Sequence, residues 1–127
     1  MKDIIFDNFQ NNVNESLLRH RSILDIMTKL NETNSKVNRA LAKSVTTCGC
    51  VKISAQKQND ININHSSSLS SHLKGKLCDN CREVLESEIG NNIFYLTSLC
   101  NCLDLNLYDI FLKEENKINI LGKFNFR

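Results

Sequence analysis

Residues 78–113 read CDNCREVLESEIGNNIFYLTSLCNCLDLNLYDIFLK. From Val84 onward the apolar side chains Val84, Leu85, Ile89, Ile93, Leu96, Leu99, Cys100 and Leu103 recur mostly every three or four positions, which is the stripe of an amphipathic helix and a period no strand can use. The pattern breaks at Asp104 to Asn106. The Asn106 carboxamide can cap a second helix that carries Leu107, Ile110, Phe111 and Ile118. The spacing therefore predicts an antiparallel helical hairpin, 82–103 followed by a helix from 107, with Gly122 as the stop. The tail NILGKFNFR offers Leu121, Phe124 and Phe126 to the bundle.

Upstream, Phe9, Val13, Leu17, Leu24, Met27, Leu30, Val37 and Leu41 keep a helical spacing. They predict one long helix or two stacked pieces. A break is expected at Asn31 to Ser35, because the run NETNSK is rich in side chains that compete for backbone hydrogen bonds. His20 falls near the stripe and reads as an interior or edge histidine without a ligand role. Helical character should end at Ser44 to Thr47, where β-branched residues precede Gly49. The run TTCGCVKIS then reads as a loop with a short strand at Val51 to Ser54. QKQNDININHSSSLSS, residues 56–71, has no usable period and reads as a flexible excursion. Ser68 or Ser70 could cap a helical turn with Leu69, Leu73 and Leu77 on one face, stopped by Gly75.

A chain of 127 residues with no Trp and no Pro, whose apolar set is mostly helically spaced Ile and Leu, is read as a single all-α domain, 1–127, with a metal-binding loop insertion at 47–81. A net charge of +2 with interspersed signs supplies no concentrated basic face, so nucleic acid is not an expected partner. The N-terminus lacks the charged start and apolar run of a signal peptide, and no stretch is apolar enough for a membrane span. A cytoplasmic protein with no membrane partner is expected.

Six cysteines in a reducing compartment point to metal ligation before disulfides. Cys48 and Cys50 form a C-x-C; Cys78 and Cys81 form a C-x-x-C at a helix start. Two close-set pairs brought together by an intervening loop suit a tetrahedral four-cysteine zinc site. The C-x-x-C is the stronger half, because Cys81 sits near the N-terminus of the 82–103 helix, where the dipole and free N–H groups favour a thiolate. Cys100 and Cys102 point about 200° apart on one helix, cannot share an ion, and are expected to pack. His65 and His72 are reserve donors, read as non-ligands.

The segment SEIGNNIFYLTSLCNCLDLNLYDI, residues 87–110, resembles the second half of MazG-like nucleotide pyrophosphohydrolases. That resemblance implies a MazG-like helical bundle, usually a homodimer. It also implies glutamates from an E-E-x-x-E pattern and an E-x-x-D pattern that hold Mg²⁺ for hydrolysis of a nucleoside triphosphate. In KLNETNSKV, Glu32 matches the first acid, Thr33 stands for the second and Lys36 for the third. Glu88 matches the later pattern, and Asn91 stands where Asp is expected. The chain also resembles a group of small, uncharacterised cysteine-containing proteins of clostridial type, through RHRSILDIMTKL, the CGC loop, CDNCRE and LDLNLYDI.

With those acids replaced, the expected function is a non-catalytic, zinc-stabilised MazG-like binding or regulatory protein. A divergent Mg²⁺-dependent pyrophosphohydrolase would rebuild its site from Glu32, Glu83, Glu86 and Glu88, with a nucleotide as partner. A thiol-based redox or metal sensor would use the four cysteines as a switch.

Overall fold

The computed structural model describes residues 4–17, 19, 21–57 and 70–122. These are mostly helical. Helix α1 covers Ile4–Ser16, α2 Ile23–Lys43, α3 Asp79–Cys102 and α4 Leu107–Leu121; a single π-turn, Ser44–Cys48, extends α2, and two three-residue strands, β1 Val51–Ile53 and β2 Leu73–Gly75, pair antiparallel. No helix among the described residues is long and apolar enough to cross a membrane. His20, His65, residues 58–69 of the excursion with its Ser68 and Leu69, and the tail residues Phe124 and Phe126 lie outside the described residues. The chain divides into two compact units, Met1–Asn34 with Ile89–Arg127, and Ser35–Glu88.

In the first unit α1 and α4 meet through aromatic rings: Phe6 lies with its centroid 4.7 Å from Phe111 and 6.0 Å from Tyr108. Gln10 then fixes the turn between α3 and α4. Its Nε2 donates to the Leu105 carbonyl at 2.6 Å, its Oε1 accepts the Leu107 N–H at 3.0 Å, and its own carbonyl accepts from Asn101 Nδ2 at 3.0 Å. A turn would otherwise leave these backbone groups without partners. The expected Asn106 cap is present, its side chain accepting the Asp109 N–H at 2.9 Å, and Gly122 ends α4 with φ 56°.

The expected break at Asn31 to Ser35 is not there. α2 runs unbroken from Ile23 to Lys43, and the preceding helix, α1, ends at Ser16. Thr33 and Asn34 of NETNSK find hydrogen-bond partners without leaving the helix. Thr33 Oγ1 donates to the Leu30 carbonyl at 2.9 Å, and Asn92 Nδ2 donates to both Thr33 Oγ1 and Asn34 Oδ1. The buried edge of α2 also differs from the one its largest apolar residues suggest. Ile26, Thr33, Ala40 and Ser44, at intervals of seven or four, are buried, while Leu24, Met27 and Leu41 are exposed. Small and hydroxyl side chains let backbones approach, and their hydroxyls return to carbonyls one turn back.

α3 repeats the theme. Thr97 and Ser98 are fully buried with hydroxyls on the Ile93 and Phe94 carbonyls, whereas Ile89, Ile93 and Leu96 of the predicted core stripe remain nearly half exposed.

In the second unit the π-turn carries the helix past Ser44, where the sequence suggested it would stop. Gly49, at φ 77°, closes it by donating its N–H to the Ser44 carbonyl at 2.9 Å. The short strand at Val51 is present, but the helical turn expected at Leu73 to Leu77 is instead β2. Val51 pairs with Gly75, Lys52 with Lys74 and Ile53 with Leu73. Pairing leaves no freedom at Gly75: it has φ 88°, and a Cβ there would sit 2.6 Å from the Cys50 carbonyl oxygen. Gly49, by contrast, has open space around it. Gly75→Ala is therefore expected to cost about 1–3 kcal/mol, and Gly49→Ala only the smaller strain of a left-handed alanine. Thermal denaturation should show the lower melting temperature for Gly75→Ala.

Candidate metal centre

Each cysteine pair is placed by a different backbone device. The π-turn ends at Cys48, and the left-handed Gly49 turns the chain so that Cys50 directly precedes β1. The ribbon register then sets Gly75 opposite Val51, which returns the chain to Cys78 three residues later. Cys78 sits one residue before α3. Its Sγ accepts the Cys81 N–H at 3.4 Å, so the thiol acts as the cap of the helix. Ser44 is the pivot on the opposite side: it is buried, its Oγ donates to the Ala40 carbonyl at 3.0 Å, and its own carbonyl receives the Cys50 thiol at 3.8 Å.

The outcome is that Cys48, Cys50, Cys78 and Cys81 converge, their Sγ atoms all within 4.8 Å of one another. Such a group can hold a metal ion. The Cys48 to Cys78 separation is 3.8 Å, and a tetrahedron with metal–sulfur bonds of ~2.3 Å has an edge of about 3.8 Å. The donor set fits: four soft sulfurs and no hard oxygen. Among the described residues this is the one place where three or more His, Cys, Asp or Glu donors converge.

Electrostatics push the thiols apart in pKa. Cys78 is lowered to about 7, first by the Cys81 backbone N–H that its sulfur accepts and then by the Cys81 thiol. Cys81 moves the other way, up to about 12: the Ser44 hydroxyl works downward and is outweighed by the Cys78 sulfur and by desolvation. The thiol favoured as an anion is therefore Cys78, not Cys81 as the helix position suggested. The capping position, rather than the first turn, receives the free N–H. One anion among four close sulfurs resists a second until a cation enters.

The remaining predicted residues are dispersed. Glu32 belongs to the first unit, where its Oε2 accepts from Lys29 Nζ at 3.1 Å. Glu83 and Glu86 are exposed on α3, and Glu88 is half buried, with Oε2 shielded from solvent and no donor among the described residues. Cys100 is buried, as a packing residue should be, and burial raises its pKa; Cys102 is exposed and does not pack as expected. His72 sits in the ribbon turn, its Nδ1 accepting the Gln56 N–H at 3.0 Å, outside the sulfur cluster.

Comparison of the chain with protein-family models, with curated proteins and with solved structures gives no match. The site thus stands on its geometry. Two of its parts had no sequence signal: the π-turn, because an i→i−5 bond leaves no mark on composition, and the second role of Ser44, which reads as a helix-ending serine.

In metal-free protein near pH 7, alkylation by iodoacetamide followed by peptide mapping should label Cys78 at least ten times faster than Cys81. Because the Cys78 pKa is depressed from 9.0 to about 7, its thiolate is lost, and its labelling should collapse, as pH falls through that value. Metal binding has to displace the remaining protons, so affinity should also fall with pH.

Proposed function

We propose that this protein is a non-catalytic, MazG-like helical binding or regulatory module whose second unit is clamped by one zinc ion held by Cys48, Cys50, Cys78 and Cys81, and which works as a homodimer. The observation that carries the metal reading is the convergence of four thiols within 4.8 Å. Zinc suits that set: it is redox-inert, tetrahedral and thiophilic, and it supplies folding free energy where a core cannot. The ribbon needs such help. Two strands of three residues, with Val51 the one buried side chain among the six, are marginal in water.

The absence of a catalytic role is supported by Lys36, which brings a positive charge to the position where the resemblance calls for an Mg²⁺ ligand, and by Glu32 taking up Lys29. The dimer reading is supported by apolar surface. Among the described residues of the first unit Val13, Leu17, Ile26, Cys100 and Leu107 are buried, whereas Leu24, Met27, Ile93, Leu96, Phe111 and Ile118 are each 43–70% exposed. Exposed large apolar side chains on this scale are the kind of surface that a second polypeptide covers.

Elemental analysis of tag-free protein should give about one zinc per chain, and chelation should lower helicity and melting temperature by circular dichroism. Cys78→Ser and Cys81→Ser should lose the metal and the stability, while Cys102→Ser keeps both. Equal metal content in all three variants would overturn the assignment. Sedimentation equilibrium should return twice the chain mass, and Ile93→Lys combined with Leu96→Lys should shift it to the monomer.

A further inference from the structure

The last two turns of α2 and the first three turns of α3, all within the second unit, enclose a groove whose chemistry the metal site does not use. Lys36, Arg39 and Lys43 are spaced i, i+3 and i+7, one face of a helix over about 10 Å of its axis. With Ala40, Val84 and Glu88 they line a cavity of about 240 Å³. It shares Ala40, Lys43 and Val84 with a second cavity of about 300 Å³ that reaches Cys48 and Cys81.

Two features of this groove call for a ligand of a particular kind. Arg39 and Lys43 are exposed and form no ion pair among the described residues. Two unpaired cations flanking a cavity, one of them a guanidinium fork, are the ordinary means of holding a phosphate or carboxylate. Glu88 lines the same cavity, and one of its oxygens is shielded from solvent with no donor among the described residues, which is a costly condition for a carboxylate. A polyanion would bring no donor to Glu88, and its next charge would meet Glu83 and Glu88 along α3. A simple inorganic anion satisfies the cations and leaves the carboxylate as it was. A small molecule with an oxyanion at one end and an ammonium or amide N–H at the other satisfies both.

We propose that this groove is a binding site for a small oxyanion carrying an N–H donor, the oxyanion held by Arg39 and Lys43 and the donor by Glu88. The site deepens the binding-module reading by naming its ligand class. Its position beside Cys48 and Cys81 makes the groove part of the unit that the metal would hold in shape.

The test is a titration of as-purified protein, followed by backbone amide NMR, with O-phosphoethanolamine, γ-aminobutyrate and inorganic phosphate in parallel. Zinc content and circular dichroism are measured on the same samples. The amides of Ala40, Lys43, Val84 and Glu88 should move with phosphoethanolamine or γ-aminobutyrate, whichever head group the site prefers. The stronger of the two should bind at least tenfold more tightly than inorganic phosphate. Arg39→Gln should weaken all three tenfold or more. Glu88→Gln should abolish the preference over phosphate and leave phosphate binding unchanged, a split that a merely structural role would not produce. Equal binding of all three probes to the wild type, no effect of Arg39→Gln, or amide shifts confined to other residues would each overturn the site. A helical, zinc-loaded chain whose amides do not move removes the groove and leaves the metal reading standing; a zinc-free, folded chain that binds the probes does the reverse.

Discussion

Four sulfurs within 4.8 Å of one another cannot all be anions unless a cation lies among them. This constraint governs the second unit. The metal-free cluster relieves it by splitting its protons unevenly, one thiol near 7 and another near 12, and a divalent ion relieves it outright by drawing all four charges inward. Everything that positions the sulfurs, the π-turn, the left-handed Gly49, the ribbon register and the Cys78 cap, is backbone geometry. None of these devices buries much apolar area. A metal held by these thiolates would stand in for the core that such a short segment lacks.

The first unit solves the same shortage differently. Its contacts are specific rather than extensive: a glutamine that serves three partners, a phenylalanine between two rings, and an asparagine that bridges Thr33 and Asn34. Such contacts fix geometry at about 0.5–1.5 kcal/mol each, but they do not remove much hydrocarbon from water. Several of the leucines and isoleucines that would do so, Leu24, Ile93, Leu96 and Ile118 among them, are exposed. A sequence that repeats apolar residues faithfully along four helices, and then leaves many of them exposed in the single chain, has placed its hydrophobic driving force at surfaces where another polypeptide can use it.

That division explains what could and could not be read from the sequence. The hairpin of α3 and α4, its Asn106 cap, its Gly122 stop and the convergence of the cysteine pairs all follow from local rules: period, capping chemistry and ligand spacing. The buried edge of α2 was misplaced because those rules rank residues by hydrophobicity, while the helix packs through Thr33, Ala40 and Ser44, whose value is their size. Likewise, NETNSK resembles a helix breaker until Asn92 arrives from far along the chain to accommodate it. The β2 strand was hidden for the same reason, since Leu73 to Gly75 becomes a strand by pairing with β1 and has no periodicity of its own. The favoured thiolate was displaced from Cys81 to Cys78 by a boundary shift of a few residues, the scale on which helix ends are hardest to place.

The ribbon ends where the Ser54 N–H meets the His72 carbonyl at 2.7 Å, so these two points of the backbone are held together like a closed gate. The length of what lies beyond that gate is nearly free thermodynamically, because loop-closure entropy grows only as the logarithm of length, about 0.6 kcal/mol per doubling. The excursion is thus a natural grafting port. Residues added between Lys57 and Ser70 would therefore cost the ribbon little in loop-closure entropy.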